Sequence, residues 1–303
     1  MKSFKVIMMS LAAALLVSAC GTTETVPMTG RKHKVNQTNY SDATMLSLGT
    51  QEYTKFMQTA KKSTDAANTA MVQRVGQNLA KAVTNYLVNN GYASEANNFK
   101  WEFNLVQSKE ANAWCLPGGK ICVYEGLLPY TQNETALAIV LGHEIAHAVA
   151  KHSAEQMTTK YNQQVGMQLG SAVLGQVVGS DITNLGKLVA NGVLQFKNLQ
   201  YSRDDETEAD IMGLNFAAMA GYNPREAITF WQRMSKASAG SQTAEFTSDH
   251  PSDATRIANL QKQMPTAEKY YQAYLAANKK TTTTKKTTTW KKTTTRKTTK
   301  KRK

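Results

Sequence analysis

The chain of 303 residues lacks a hydrophobic run that could cross a membrane as a stable helix, which needs about 20 residues. The apolar run VIMMSLAAALLV near the N-terminus is too short for a span. A second apolar stretch, residues 165–194, is rich in small residues but is interrupted by Gln168 and Gln176. The sequence therefore predicts no membrane-spanning domain, and the second stretch predicts close helix packing inside a folded domain.

Cysteine is also scarce, with three residues in the whole chain. Cys115 and Cys122 lie close together in NAWCLPGGKICVYEG, and no second pair of cysteines or histidines with ligand spacing lies near them. That absence argues against a zinc site built on the two thiols. The PGG turn would bring the cysteines opposite each other, so a disulfide and two free thiols both remain open.

Acidic residues are missing from the last 25 residues, which carry twelve Lys or Arg. Residues 21–278, in contrast, contain 22 basic and 22 acidic side chains, so the high isoelectric point describes the tail and not the body. A Thr- and Lys-rich segment cannot bury a core, and residues 279–303 are predicted to be disordered. As a polycation, the tail suits anionic envelope polymers better than nucleic acid; a solvated tail without a partner is the alternative.

The N-terminus has the features of an export signal. A short basic start, MKSFK, precedes the apolar run, and LVSAC resembles a bacterial lipobox. This pattern predicts a lipoprotein signal peptide over residues 1–19, lipid attachment at Cys20 and a tether over residues 20–40. An ordinary secretory signal is the alternative. Both interpretations place the protein outside the cytoplasm.

Residues 41–278 have the patterns of one folded domain. Alternation in FKWEFNLVQS, and two short segments around the PGG turn, predict three strands. Helical periodicity begins at Ser41 and continues across residues 72–87 and 132–153. Further helices are predicted in SRDDETEADIMGLNFAAMAGY, NPREAITFWQRMSKA and the end of SDHPSDATRIANLQKQM.

The segment ALAIVLGHEIAHAVAKHS contains the pattern HExxH. On a helix, His143 and His147 share one face, so both imidazoles can bind a single metal ion. Glu144 is rotated by about 100° from His143 and can act as a base on a metal-bound water without being a ligand. The pattern alone also fits two surface histidines. The apolar flanks, however, predict a buried helix, in which bare histidines would carry a large desolvation cost.

A third ligand is available in YSRDDETEAD, which places Glu206 near the start of a helix and Asp210 one turn later. Two histidines and a glutamate form a catalytic zinc site with a fourth position open for water. Asp210 would then hydrogen-bond the far nitrogen of a ligand histidine. The sequence thus predicts one zinc ion per chain, and a solvated acidic face is the alternative for the YSRDDETEAD segment.

HEIAH, the SRDDETEAD segment and DHPSDATRI, in this order, resemble the zinc metallopeptidase family of the CAAX prenyl endopeptidases and HtpX. The resemblance covers roughly residues 41–263 and is closest to the exported lipoprotein branch of LoiP, BepA and Oma-type proteases. It implies an α+β, mostly helical, zincin-like domain with a small sheet beside the HExxH helix. It also implies that the zinc ligands are His143, His147 and Glu206.

The same resemblance implies roles for further residues. Glu144 would be the catalytic base, and Asp210 would assist as an acid. His250 would lie near the metal, as a fourth ligand or as a gate, although a histidine before a proline could also simply cap or pack. An edge strand beside the metal helix would pair with extended substrate, and it would hold Asn112, Ala113 and Trp114. His152, which is off the ligand face, is expected to be a structural or surface residue.

These features predict a zinc endopeptidase of the bacterial cell envelope, anchored by lipid to the outer membrane and facing the periplasm. Its expected substrates are unfolded or misassembled envelope proteins, which it would cleave in quality control. The alternative is a chaperone or assembly factor that holds the same clients and cuts rarely, with His250 gating the site.

Overall fold

The computed structural model describes residues 21–173, 196, 199, 201–239, 250 and 254–298. Its strands are β1 (Thr22–Thr25), β2 (Lys32–Val35), β3 (Glu102–Val106), β4 (Ala113–Leu116) and β5 (Lys120–Tyr124). Its helices are α1 (Gln37–Tyr40), α2 (Asp42–Thr59), α3 (Ala66–Asn89), α4 (Ala93–Asn97), α5 (Leu128–Thr131), α6 (Glu134–Val149), α7 (His152–Val173), α8 (Arg203–Met219), α9 (Glu226–Ala239) and α10 (Ala254–Thr298). The predicted α+β class is confirmed.

A three-stranded sheet in the order β3-β5-β4 forms the middle of the domain. The β5 strand runs parallel to β3 and antiparallel to β4, so β4 is the edge strand on one side of the sheet as far as the chain is described. Helix α2 packs on one face of the sheet, and α3 and α6 pack on the other. The edge of the sheet thereby lies next to the HExxH helix, α6.

The register of this sheet rules out the disulfide. Trp114 pairs with Cys122, while Cys115 pairs with Ile121. Since neighbouring positions along a strand point to opposite faces, the two sulfur atoms lie on different sides of the sheet. Both cysteines are buried outside any disulfide and are packed in separate apolar clusters. The PGG turn does form a hairpin, but it offsets the cysteines by one residue.

The N-terminal tether prediction is wrong for residues 22–40. Strands β1 and β2 form an antiparallel hairpin, and α1 follows it directly. Alternating burial in β2 turns His33 and Val35 inward. The segment packs against α7, and Arg31, between its two strands, forms partly buried ion pairs with Glu155 of α7 and Glu208 of α8. A polar composition therefore concealed a folded element.

Two predicted helix boundaries differ from the structure. The helix predicted over residues 132–153 ends at Val149, because Lys151 adopts a left-handed conformation (φ 58°) and α7 starts at the next residue. Helix α10 extends to Thr298, whereas the sequence predicts a disordered tail from residue 279. Extension of an existing helix is inexpensive, and the added segment contains no glycine or proline.

Three sequence predictions concern residues outside the described ranges. They are the signal peptide, lipid attachment at Cys20, and the part of the glycine-spaced stretch beyond Val173. Among the described residues, no helix has both the length and the hydrophobicity needed to cross a lipid bilayer.

Candidate metal centre

Helix α6 carries the HExxH residues through the middle of the protein. Asn133 caps the start of α6 by accepting a hydrogen bond from the backbone N–H of Ala136. Apolar residues surround the helix. His143, Glu144 and His147 are all buried, with exposures of 2%, 4% and 2%. The burial predicted from the apolar flanks is confirmed, and it makes an unpartnered polar group here expensive.

Helix α8 crosses α6 and brings the acidic residues to the same point. A capping box between Ser202 and Asp205 fixes the start of α8, so Glu206 lies in its first turn. The crossing is close because two glycines meet there: a Cβ atom at Gly142 would lie 2.6 Å from the carbonyl oxygen of Gly213. Without side chains between them, the helices approach closely enough for Glu206 to reach the histidines.

The donor atoms of His143, His147 and Glu206 converge. His143 Nε2 lies 3.0 Å from His147 Nε2 and 3.5 Å from Glu206 Oε2, and His147 Nε2 lies 3.4 Å from Glu206 Oε1. Zinc bonds of about 2.0–2.2 Å in a tetrahedron put ligand atoms about 3.3–3.6 Å apart. The two distances to Glu206 fit a tetrahedral zinc ion, and the two imidazole nitrogens, 3.0 Å apart, would have to separate by about 0.3 Å to hold one.

His250 lies in the same cluster. Its Nδ1 atom is 2.9 Å from Glu206 Oε1 and 3.1 Å from His143 Nε2, and the donor atoms of all four residues lie within 4.8 Å of one another. His250 Nε2 lies 3.5 Å from Glu144 Oε1. The structure thus places His250 at the corner that a catalytic site keeps for water.

A second layer of polar residues holds His143. Asp210 Oδ1 lies 2.9 Å from His143 Nδ1, the nitrogen that points away from the cluster. Arg256 donates to Asp210 Oδ1 at 2.6 Å and to Glu206 Oε2 at 3.3 Å, and its guanidinium lies 3.5 Å from the ring centre of Trp231. These contacts lock the ring orientation of His143. Asp210 therefore contacts a proposed ligand and not the space that a substrate would occupy.

The other histidine, His147, is held by different partners. The ring of Tyr201 stacks on it at 4.1 Å, and His152 Nδ1 lies 2.8 Å from His147 Nδ1. His152 is completely buried, so the prediction of a surface residue is wrong and that of a structural residue applies. Its Nε2 atom lies 3.0 Å from Glu208 Oε2, which is itself buried although it belongs to the acidic run of α8.

Burial and neighbouring charges shift the pKa values of the side chains in the cluster. Burial lowers the pKa of His147 well below its usual value. Burial would raise the pKa of Glu206, but His250 and the hydrogen bonds of His143 and His147 lower it. Burial and Arg256 lower the pKa of His143, but Asp210 and Glu206 outweigh them and raise it to about 9. A metal ion bound to His143 would thus compete with a proton.

Glu144 faces a cleft of about 570 Å³ between the metal cluster and strand β4. Its Oε1 atom is buried and has no hydrogen-bond partner among the described residues, and burial raises the pKa of its carboxyl. The cleft is also lined by Tyr201, by Asn112 just before the edge strand, and by the β4 residues Ala113, Trp114, Cys115 and Leu116. An unsatisfied buried carboxylate aimed into a cleft is the arrangement that a catalytic base requires.

A second group of metal-type ligands lies behind the first, but it contains its own cation. His152, Glu155 and Asp205 have donor atoms close enough for an ion. Arg31 Nη2 lies 2.7 Å from Glu155 Oε2 and 2.9 Å from Asp205 Oδ1. The guanidinium satisfies these carboxylates, so the group is an ion-pair network.

The chain also matches a known protein family. The sequence model of peptidase family M48 matches residues 66–264, which include the whole metal cluster. The chain belongs to peptidase family M48. The family resemblance seen in the sequence is confirmed, while the placement in one branch of the family stays a prediction.

Named relatives of this M48 chain come from mitochondria and bacteria. The mitochondrial metalloendopeptidase OMA1 of Schizosaccharomyces pombe is 37% identical over 178 residues, 58% of this chain and 50% of the relative. The beta-barrel assembly-enhancing protease of Yersinia pestis is 30% identical over 210 residues, 64% and 42% of the two chains. The metalloprotease LoiP of Escherichia coli is 26% identical over 200 residues, 64% and 74%. The chain spans about half the length of the yeast relative.

The structure brings together the residues that the sequence proposed, and it adds others. All four predicted metal-site side chains and Asp210 meet at the α6–α8 crossing. The sequence patterns did not predict a role for Arg256, Tyr201, Trp231 or Glu208. Arg256 lies in the DHPSDATRI segment, where its position shortly after His250 could have indicated a role near the metal cluster. Tyr201 and Trp231 offered none, because single aromatics in helical patterns usually pack in cores.

Proposed function

We propose that this chain is a zinc-dependent endopeptidase whose zinc ligands are His143, His147 and Glu206. The observation that carries the proposal is the convergence of two buried imidazoles and the partly buried Glu206 carboxylate, with donor atoms 3.0–3.5 Å apart, beside Glu144 Oε1, which has no hydrogen-bond partner among the described residues. When bound, zinc supplies a Lewis acid for the substrate carbonyl oxygen and lowers the pKa of a water molecule.

The residues of the chain then perform the proton transfers and position the substrate. An extended substrate pairs with the edge of β4, which places its backbone across the cleft in front of Glu144. Glu144 accepts the proton of the attacking water and returns it to the leaving amine nitrogen. Asp210, held by Arg256, keeps a proton on His143 Nδ1 and so leaves Nε2 free for the metal.

Replacement of the base tests this mechanism. Glu144→Gln is expected to reduce cleavage of an unfolded protein such as casein by at least about 100-fold, because general-base catalysis contributes about 10²–10⁴. The bound zinc should stay near one per chain, since Glu144 is not a ligand. Glu134→Gln, an exposed position on the same helix, is the matched control and should cleave like the wild type. Full activity in Glu144→Gln would refute the mechanism.

The cellular role is also a proposal. We infer an exported protein that Cys20 anchors by lipid to the outer membrane, where it degrades unfolded or misassembled envelope proteins. The lipobox-like LVSAC supports the anchor, and the Yersinia pestis relative, whose name refers to beta-barrel assembly, supports the substrates. The basic tail would add contacts to anionic envelope polymers. Cys20→Ala should release the protein from the membrane fraction, and a variant that stays in the membrane would contradict the lipid anchor. Deletion of residues 279–303 should abolish binding to anionic polymers, and binding that persists would exclude the tail as the binding segment.

A second candidate, a client-holding factor with gated proteolysis, is favoured by one observation. His250 Nδ1 takes the corner of the cluster at which a water would bind, 3.1 Å from His143 Nε2. If His250 closes the site, His250→Ala should raise casein cleavage relative to the wild type without changing client binding. A variant no faster than the wild type would remove the gating hypothesis.

A further inference from the structure

The histidine His147 has another histidine as its outer partner, whereas His143 has a carboxylate. His147 Nδ1 and His152 Nδ1 lie 2.8 Å apart, and His152 Nε2 lies 3.0 Å from Glu208 Oε2. His147, His152 and Glu208 are all buried. The three side chains therefore form a chain of short contacts that leads from the metal cluster into α8.

Proton placement along this chain has a single consistent direction. A neutral imidazole carries one N–H and one acceptor nitrogen, and a carboxylate only accepts. Glu208 therefore requires the His152 proton on Nε2, which leaves His152 Nδ1 as an acceptor. His152 Nδ1 in turn requires the His147 proton on Nδ1. The lone pair of His147 is then on Nε2, the atom that faces Glu206 at 3.4 Å.

The anchor of the chain, Glu208, is held from outside the HExxH and α8 elements. Arg31 Nε donates to Glu208 Oε2 at 2.6 Å, and Thr29 Oγ1 donates to Glu208 Oε1. The second branch of the Arg31 guanidinium donates to Glu155 at 2.7 Å and 3.0 Å, which fixes the arginine itself. Arg31 belongs to the hairpin of β1 and β2, which precedes residues 66–264, the part that matches the family.

We propose that His152, Glu208 and Arg31 are positioning residues that fix the tautomer of His147 and so prepare it to bind zinc. The proposal rests on the proposed ligand role of His147. It makes the N-terminal hairpin a functional part of the metal site: its arginine aligns the carboxylate, the carboxylate sets His152, and His152 sets His147.

The direct measurement is the ¹⁵N chemical shift of each histidine ring in the full-length protein, without any substitution at His147, His152, Glu208 or Arg31. His152 is expected as the Nε2–H tautomer with and without zinc, and His147 as the Nδ1–H tautomer already in the metal-free protein. A His152 ring protonated on Nδ1, or a metal-free His147 protonated on Nε2, would overturn the proposal.

Zinc affinity of variants gives a second measurement, by competition with a chromophoric chelator. Glu208→Gln can present either its carbonyl or its NH₂ group to His152, so it accepts both tautomers and should weaken zinc binding about 10–100-fold. Arg31→Gln should weaken it about 10-fold, at the lower end of that range. Lys34→Gln removes an exposed charge from the same hairpin and should bind zinc like the wild type.

A His147→Ala variant separates the two possible failures. If it keeps wild-type zinc affinity, the ligand assignment in the proposed function is wrong. If it loses zinc while Glu208→Gln and Arg31→Gln bind zinc with wild-type affinity, only the positioning role of His152, Glu208 and Arg31 is wrong. Should Arg31→Gln fail to fold, the ¹⁵N measurement on the unsubstituted chain still decides between the two tautomers.

Discussion

The glycine contact between α6 and α8 should control activity through the position of His143. A Cβ atom added at Gly213 would lie 2.6 Å from the backbone nitrogen of His143 and 2.8 Å from its Cα. These are backbone atoms in the middle of a buried helix, and they cannot rotate away as a side chain can. Gly213→Ala must therefore separate the two helices that carry the proposed zinc ligands.

The magnitude follows from the distances. Real Cβ atoms do not approach closer than 3.0 Å, and ordinary contacts begin near 3.5 Å, so the helices must move apart by about 0.4–1 Å. Overpacking costs about 1–3 kcal/mol, and the gain in helix propensity from Gly to Ala returns about 1 kcal/mol. We expect a net loss of up to about 2 kcal/mol in the free energy of unfolding. Because a 1 Å misplacement costs about 100-fold in rate, kcat/KM should fall about 10–100-fold.

Urea unfolding and casein cleavage measure the two effects. Gly76→Ala is the matched control: its added Cβ would meet the ring of Phe103 at 2.1 Å, in a contact between α3 and β3 away from the metal cluster. This variant should lose stability but keep the kcat/KM of the wild type. A Gly213→Ala protein with wild-type kcat/KM, or a Gly76→Ala protein with an equal loss of kcat/KM, would refute the reasoning.

Two further predictions concern Glu155 and the cysteines. Burial would raise the pKa of Glu155, but His33 and Arg31 lower it from 4.5 to about 2, so its stabilising effect is complete above about pH 4.5 and is lost as the pH falls towards 2. Urea unfolding should show this loss in the wild type and not in Glu155→Gln; equal pH dependence in both would contradict it. Cys115 and Cys122 should both react with a maleimide in denaturant without reductant, and neither in the native state, because both are buried and neither is in a disulfide. Failure to label them in denaturant would indicate a disulfide.

Sequence periodicity was most informative where one helix or strand had a strong pattern. Helix α2 begins beside the predicted cap at Ser41. Helix α3 ends two residues beyond the predicted range 72–87 but begins six residues before it, after a cap at Asp65. The hairpin of β4 and β5 was also predicted, but with the two cysteines opposite each other, which is not the register of the structure. A shift of one residue moves every side chain to the other face, and the shift decided that Cys115 and Cys122 do not bond.

From the sequence by itself, the candidate metal site was predicted down to its proposed ligands. HExxH on a helix with apolar flanks, and a second helix with Glu206 and Asp210, left few other arrangements, because helical spacing sets which side chains share a face. Only the tertiary structure decided what surrounds those ligands. Arg256 contacts Glu206 of the cluster and Asp210 beside it, whereas Arg31 contacts Glu208, which lies behind His152. His152, expected off the ligand face, is the partner of His147. Such contacts depend on how distant segments pack, which no local pattern encodes.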